Sequence, residues 1–189
     1  FMGSGMVPPN AYVTLEHEYV LPFRNGGDHR SFQPNAEPRY NAAYFWEERN
    51  RWFSDLWTDL RGVEQSLADD ELRDRSAAFP FGLPYRLINM YSVYGDTVCD
   101  PFFGTGTTGL AAAVAGRNSV GYELDPAFGS VFEARIDDAP TLSRQVISDR
   151  LAAHREFVAA ERDAGETFSY DATHYDVPVR TSQAQSPRF

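Results

Sequence analysis

Asp100-Pro-Phe-Phe-Gly104-Thr-Gly106-Thr-Thr-Gly109, followed by Gly121-Tyr-Glu123-Leu-Asp125, is the stretch that decides how this chain reads. Val98 and Cys99 follow the turn signal Gly95-Asp96, so a buried strand is expected there, ending on Asp100. Gly104 and Gly106 permit backbone conformations that other residues avoid and let the chain come close to a ligand. Leu110-Ala-Ala-Ala-Val-Ala115 predicts a helix thin enough to lie against a sheet, and Gly116-Arg-Asn ends it. A second strand is expected over 119–122, with Glu123 at its carboxyl end, where open α/β sheets bind ligands. Strand, glycine loop, helix, strand and acid make one nucleotide-binding unit.

Two ligands compete for that unit. Gly104-x-Gly106-x-x-Gly109 matches the dinucleotide fingerprint, and Glu123 follows at roughly the ~20-residue spacing of a ribose-binding acid. In that version a pyrophosphate rests on the helix N-terminus. Asp100 stands at the same mouth, and a fixed carboxylate there repels a pyrophosphate. It suits instead a ligand carrying an ammonium and a sulfonium, which describes S-adenosylmethionine.

The loop at 100–108 resembles the cofactor loop of the amino-group DNA methyltransferases, which modify adenine N6 or cytosine N4. Phe79-Pro-Phe-Gly-Leu-Pro-Tyr-Arg-Leu-Ile88 is similar to the helix-opening segment before that loop in the permuted branch, where the cofactor half follows the catalytic half. Its Phe-Pro form, without a Lys-Pro pair, looks closer to the cytosine-N4 members. His17-Glu-Tyr-Val-Leu-Pro-Phe-Arg24 is similar to the strand that ends the catalytic half. The resemblance implies an α/β, three-layer, Rossmann-like S-adenosylmethionine-dependent methyltransferase fold, here incomplete. It also implies a type II-like modification methylase acting on double-stranded DNA. By position, Asp100, Phe102, Gly104 and Gly106 would frame the methionine end of the cofactor, and Thr107 and Thr108 would open the helix. Glu123 would accept both ribose hydroxyls, Leu124 would lie beside the adenine, and Phe79, Phe81 and Leu83 would line the opposite wall.

Methyl transfer to an exocyclic amine in this family also uses Asp, Asn or Ser followed by Pro-Pro and an aromatic. The side-chain oxygen and adjacent carbonyl accept the amine hydrogens, and the aromatic stacks on a base flipped out of the duplex. The Pro-Pro of this chain, in Val7-Pro-Pro-Asn-Ala-Tyr12, begins with valine, which accepts no hydrogen bond. The catalytic residues are therefore left unassigned. The chain is expected to be the carboxyl-terminal portion of a longer enzyme, binding cofactor but inactive alone. A second subunit carrying the loop, a non-catalytic cofactor-binding partner, and methylation of RNA or a small molecule are the alternatives.

Composition bounds these readings. The 189 residues carry 27 acids and 17 bases, a net charge of −10, and every base is arginine. A lysine-free acidic surface fits a cytoplasm at very high salt, or else a GC-rich genome with an acidic bias. The balance disfavours general attraction to phosphates, which rests on Lys and Arg. Cys99 is the sole cysteine, so disulfides and cysteine-based zinc sites are excluded, as suits a reducing intracellular setting. The four histidines show no metal-ligand spacing, and no apolar run approaches the ~18 residues of a membrane span.

Three segments are expected. Residues 1–62 end the catalytic, DNA-facing half, with a strand over 12–23 and a loop from 25. Residues 63–138 form the cofactor unit, with helices over 83–94 and 126–136. Residues 139–189 hold an amphipathic helix over 141–164, short strands at 167–170 and 175–179, and a polar tail. Between 44 and 61 aromatics interleave with arginines. They either meet DNA through Arg49, Arg51, Trp52 and Arg61, or pack on the sheet with the arginines outside. Residues 57–61 read as a short extended segment, and 64–74 as a charged helix or loose chain in which Arg73 and nearby Arg75 could reach DNA.

Overall fold

The computed structural model describes residues 17–28, 30–33, 36–61 and 79–181. The expectations for 12–16, for the Val7-Pro-Pro segment, for 64–74 and for Arg73 and Arg75 lie outside these. Two compact units divide the chain, 1–31 and 32–189.

In the first unit the described residues form no regular secondary structure. Tyr19, Leu21 and Phe23 are exposed, and Gly26 makes the expected bend at φ 96°. The strand expected over 12–23 is thus not present across 17–23. A strand's hydrogen bonds need a neighbouring strand, and none pairs with this segment among the described residues.

The second unit is built around two parallel strands. Helices α1 (Glu37–Asn41), α2 (Trp46–Trp52) and α3 (Gly82–Tyr91) precede β1 (Thr97–Asp100). Then come α4 (Thr107–Val114), β2 (Asn118–Gly121), α5 (Ala127–Ile136) and α6 (Ala139–Asp163). A hairpin of β3 (Tyr170–Asp171) and β4 (Pro178–Val179) follows. β1 pairs with β2 in the register Thr97↔Asn118 through Asp100↔Gly121. Two non-strand bonds prolong the ladder: the Tyr122 N–H donates to Asp100 O at 3.0 Å, and the Phe103 N–H to Tyr122 O at 2.9 Å. Loop and acid are thereby pinned side by side at the carboxyl end of the pair.

α4 packs against both strands and against α3, α5 and α6. It can lie so close because Ala111, Ala112 and Ala115 have almost no side chain; all three are buried, with Trp52, Tyr85 and Ile88. Val98 packs against this cluster, which places α4 on its side of the sheet. Alternate strand residues point to opposite faces, so Thr97, Cys99, Asn118 and Val120 form the other face, and all four are exposed. Cys99 is therefore exposed rather than buried as expected. Of the three layers expected, the described residues furnish the sheet and the helices on one face; the Cys99 face has no described layer over it.

Trp52 also departs from the DNA-facing reading. It is only 2% exposed, with Tyr44 and Tyr85 rings at 5.4 and 6.4 Å, so it is a core residue and its ring is not free to stack on a base. The expected extended segment over 57–61 is a series of bends without a strand. The Trp57 indole donates to Trp52 O at 3.0 Å, and Asp59 accepts from Arg86. The Arg86 hydrogen bond, against a smaller opposing effect of burial, holds the Asp59 carboxyl below its usual value.

Long-range polar contacts tie α6 to the rest. Arg150 donates to both carboxylate oxygens of Glu48, at 2.5 and 2.8 Å, and to the Tyr85 hydroxyl at 3.1 Å. His154 is buried and stacked on Phe45 with centroids 3.8 Å apart. Its ring nitrogens meet Glu47 Oε1 at 2.8 Å and Pro178 O at 2.7 Å, joining α6 to α2 and to the terminal hairpin. Residues 139–163 thus lie in the same compact unit as 79–138. Among the described residues no helix is long and apolar enough to cross a membrane, and no group of His, Cys, Asp and Glu is placed to hold a metal.

Candidate cofactor site

The site begins where β1 ends. Asp100 Oδ1 accepts the Phe102 N–H at 2.9 Å, an Asx turn that reverses the chain into the loop and leaves Oδ2 for another partner. Phe102 is thrown outward, 88% exposed, while Phe103 is half-buried with its ring against Gly109 and Gly121. Gly104 and Gly106 take φ +50° and +75°, and Gly106 is the N-cap of α4. Thr107 is buried at the first position of α4, with Thr108 following it. This much matches the order read from the motif.

The two loop glycines answer different demands. A Cβ on Gly104 would meet only the Phe102 carbonyl, at 4.0 Å, so the space beside it is open to a ligand. A Cβ on Gly106 would fall 2.1 Å from Phe132 Cδ2 and 3.0 Å from Phe103 Cε1. On Gly109 and Gly121 it would strike the Phe103 ring, at 2.6 and 2.1 Å. Gly106, Gly109 and Gly121 are thus required by protein packing: they cup Phe103, which meets Phe132 of α5 edge-on at 4.7 Å.

Glu123 closes the site from the β2 side. Its Oε2 accepts the Gly104 N–H at 2.7 Å, and its Oε1 accepts the N–H groups of Leu124 and Asp125 at 2.8 and 3.0 Å. The Asp125 bond first, then the Gly104 bond, hold the Glu123 carboxyl below its usual value of 4.5. A carboxyl depressed in the folded state loses its contribution only as pH falls through the depressed value. The Gly104 amide resonance should therefore hold its position as pH falls through 4.5 and shift only below it; a transition centred at 4.5 would contradict this.

The remaining expected residues are placed as follows. Leu124 is fully exposed beside Glu123, and Phe79 is exposed as well. Phe81 stacks on Tyr85 at 5.4 Å and leans on the core, and Leu83 is half-buried at the start of α3. Since α3 packs on α4, this segment flanks the helix that the loop opens. Arg49, Arg51 and Arg61 are exposed. Arg49 lies over the Trp46 and Phe53 rings, and Arg51 is 4.0 Å from Asp59.

Three contributors escaped the motif reading: Phe103 as the loop's inner anchor, Phe132 as its floor, and Arg135. Arg135 Nη1 reaches Thr105 O, Thr105 Oγ1 and Thr107 Oγ1 at 2.8, 3.0 and 3.3 Å. The i, i+3 spacing of Phe132 and Arg135 on the predicted helix was the available signal.

An S-adenosylmethionine-like ligand fits what these residues offer. Open space beside Gly104, two carboxylates, and the exposed apolar groups of Phe102 and Leu124 lie along one sheet end. Residues 2–133 match the sequence profile of the N6/N4 methyltransferase family, described as DNA methylase. The type II methyltransferase M.MthZI of Methanothermobacter thermautotrophicus is 54% identical over 190 residues, 100% of this chain and 52% of that protein. M.MjaI of Methanocaldococcus jannaschii is 50% identical over 136 residues, 72% of this chain and 44% of its own length. The chain spans about half the length of these curated relatives. Among solved structures, a DNA modification methylase from Thermus thermophilus, complexed with S-adenosyl-L-methionine, is 35% identical with a TM-score of 0.49. That match covers 60% of this chain and 40% of the other. Across more than half of its length, this chain belongs to the N6/N4 DNA methylase family.

Proposed function

We propose that this chain forms the S-adenosylmethionine-binding part of a DNA amino-methyltransferase, with cytosine N4 as the favoured target. The carrying observation is the pair of carboxylates bracketing an open glycine: Asp100 before Gly104, and Glu123 hydrogen-bonded to it at 2.7 Å. A fixed negative charge at the loop mouth attracts an ammonium and a sulfonium and repels the pyrophosphate of a dinucleotide. Glu123 already accepts three N–H groups of the roughly four a carboxylate can take. Its remaining capacity lies on Oε2, the oxygen nearest the loop, and that is where a ribose hydroxyl would bind. Phe102 and Leu124 would cover the cofactor's apolar surface, and Phe79 with Phe81 and Leu83 the flank along α3.

When bound, S-adenosylmethionine supplies a methyl group on a positively charged sulfur. The protein's contribution is to hold that group in line with the amine, since orientation supplies much of the acceleration. The residues that accept the amine hydrogens, an Asp, Asn or Ser before Pro-Pro and an aromatic, are not in these 189 residues. The proposal is therefore that further polypeptide supplies them, in the same protein or a second subunit, and that the chain alone binds cofactor without transferring methyl. Cytosine N4 is favoured over adenine N6 by the Phe79-Pro-Phe form of the flanking segment. Double-stranded DNA would be met by exposed arginines, Arg49, Arg51 and Arg61 among them.

Calorimetric titration tests the cofactor assignment. S-adenosylmethionine should bind and NAD should not. Asp100→Ala and Glu123→Ala should each weaken binding by roughly tenfold or more, as when a charge-assisted hydrogen bond is lost. Preference for NAD, or unchanged affinity in both variants, would remove the assignment. With the missing part supplied, mass spectrometry of digested DNA should show N4-methylcytosine. Stoichiometric transfer by the isolated chain would refute the need for added polypeptide.

A further inference from the structure

We propose that Arg135 is a positioning residue for the methionine end of the cofactor, acting through the glycine loop it clamps from behind. The inference rests on the reading that S-adenosylmethionine lies along Asp100 to Gly106. Arg135 is in the last turn of α5, and its Nη1 shares two hydrogens among Thr105 O, Thr105 Oγ1 and Thr107 Oγ1 at 2.8–3.3 Å. Both threonines are buried, so these bonds lie on the protein side of the loop. On the open side Glu123 holds the Gly104 N–H. The segment 104–107 is thus gripped from both faces.

Such a grip matters because of the backbone it restrains. Gly104 and Gly106 both sit at positive φ, with a single residue between them. Glycines flanking a short segment leave it many conformations, and ordering it on binding would weaken affinity. A loop already fixed when the ligand arrives avoids that loss. Phe132, one turn earlier on α5, sets Gly106 by steric contact, but a ring cannot fix the orientation of a carbonyl. Arg135 can: its bond to Thr105 O orients the peptide between the two glycines. It is also placed to link the subsites, since α5 starts at Ala127, whose N–H bonds to Asp125 only two residues beyond Glu123.

The consequence is selective for one end of the ligand. The adenosine end rests on Glu123 and Leu124, outside the clamped segment. The amino-acid end rests on residues that Arg135 holds. Two probes separate them: S-adenosylmethionine, and 5′-methylthioadenosine, which keeps the adenosine and lacks the amino-acid end. Titrated into the Arg135→Ala chain, S-adenosylmethionine should bind about tenfold more weakly, as expected for lost bonds from a charged donor. Methylthioadenosine should keep its affinity within about twofold, and Arg135→Lys, with three donors of its own, should restore most of the S-adenosylmethionine binding. Should the alanine variant fail to fold by circular dichroism, Arg135→Lys and Arg135→Gln carry the comparison. Gln keeps only two donors and should show the selective loss.

A residue that merely stabilises the domain would weaken both ligands together, in step with a falling thermal midpoint. That parallel loss would overturn the proposal, and so would unchanged S-adenosylmethionine affinity in the alanine or glutamine variant. Failure of the underlying reading has a different signature. Either the unmodified chain does not bind S-adenosylmethionine, or Asp100→Ala and Glu123→Ala leave its affinity unchanged; each of these outcomes removes the proposal with its basis.

Discussion

Glu48→Ala is expected to destabilise the chain by about 3–5 kcal/mol, the usual effect of removing one partner of a buried ion pair. Against a typical domain stability of roughly 5–15 kcal/mol, that is a large fraction. Glu48 is 4% exposed and makes three bonds at once: two with Arg150, at 2.5 and 2.8 Å, and one with the Phe45 N–H, at 2.9 Å. Burial works to lower the proton affinity of Arg150, yet the Glu48 charge and hydrogen bonds, helped by Tyr85, hold it raised. Without Glu48 the guanidinium stays beside the Trp52 ring, 5.8 Å from its centroid, with the Glu48 charge gone. The Phe45 N–H at the start of α2 also loses its acceptor. Urea denaturation measures the change. Pairing Glu48→Leu with Arg150→Met should harm less than either alone, because no buried charge is then stranded. A single-variant loss below about 1 kcal/mol would show that the pair is solvated in solution.

Gly106→Ala should be nearly as damaging, at about 2–5 kcal/mol. This combines the left-handed backbone penalty of a non-glycine residue with overpacking against a ring. The new methyl would fall 2.1 Å from Phe132 Cδ2 and 2.8 Å from its Cγ, at φ +75°. Phe132 has little room to retreat, because Phe103 meets it edge-on at 4.7 Å. Cofactor affinity should fall with stability, since displacing Phe132 disturbs the helix that carries Arg135. Gly129→Ala supplies the contrast: it lies within α5 with nothing within 4 Å of the added methyl. That change should stabilise by roughly 0.5–1 kcal/mol through helix propensity. If the two variants melted alike, steric demand at Gly106 would be ruled out.

The residues proposed to meet the cofactor were legible along the chain because they are local. Asp100, Gly104, Gly106 and Glu123 sit at the ends of two short strands joined by one helix, and strand-to-helix turns have few solutions. The small residues of α4 announced its close approach to the sheet, and Ala111, Ala112 and Ala115 are buried as that requires. The purpose of each glycine was less legible. Gly104 is open to a ligand, whereas Gly106 is dictated by a ring from a helix not yet met when the loop is read.

The aromatic and arginine segment shows where local reading stops. Helical spacing tells which residues share a face, not which face meets the core. Trp52 turned inward and Arg49 outward because Tyr85 and Ile88 of α3 offered an apolar surface to one side only. Cys99 turned outward because α4 covers the opposite side of a two-stranded sheet.

The sequence by itself determined the strand, glycine loop, helix, strand and acid order, and with it the placing of two carboxylates, Asp100 and Glu123, at one end of the sheet. Those features depend on backbone geometry and charge within about 25 residues, as the ~20-residue spacing of such motifs requires. Only the tertiary structure decided the rest. Glu48 meets Arg150 across 102 positions, His154 meets Glu47 across 107, and Arg135 meets Thr105 across 30. Such pairings follow from how whole helices pack: a charged side chain enters the interior where packing brings it acceptors or an opposite charge, and no local pattern encodes that meeting.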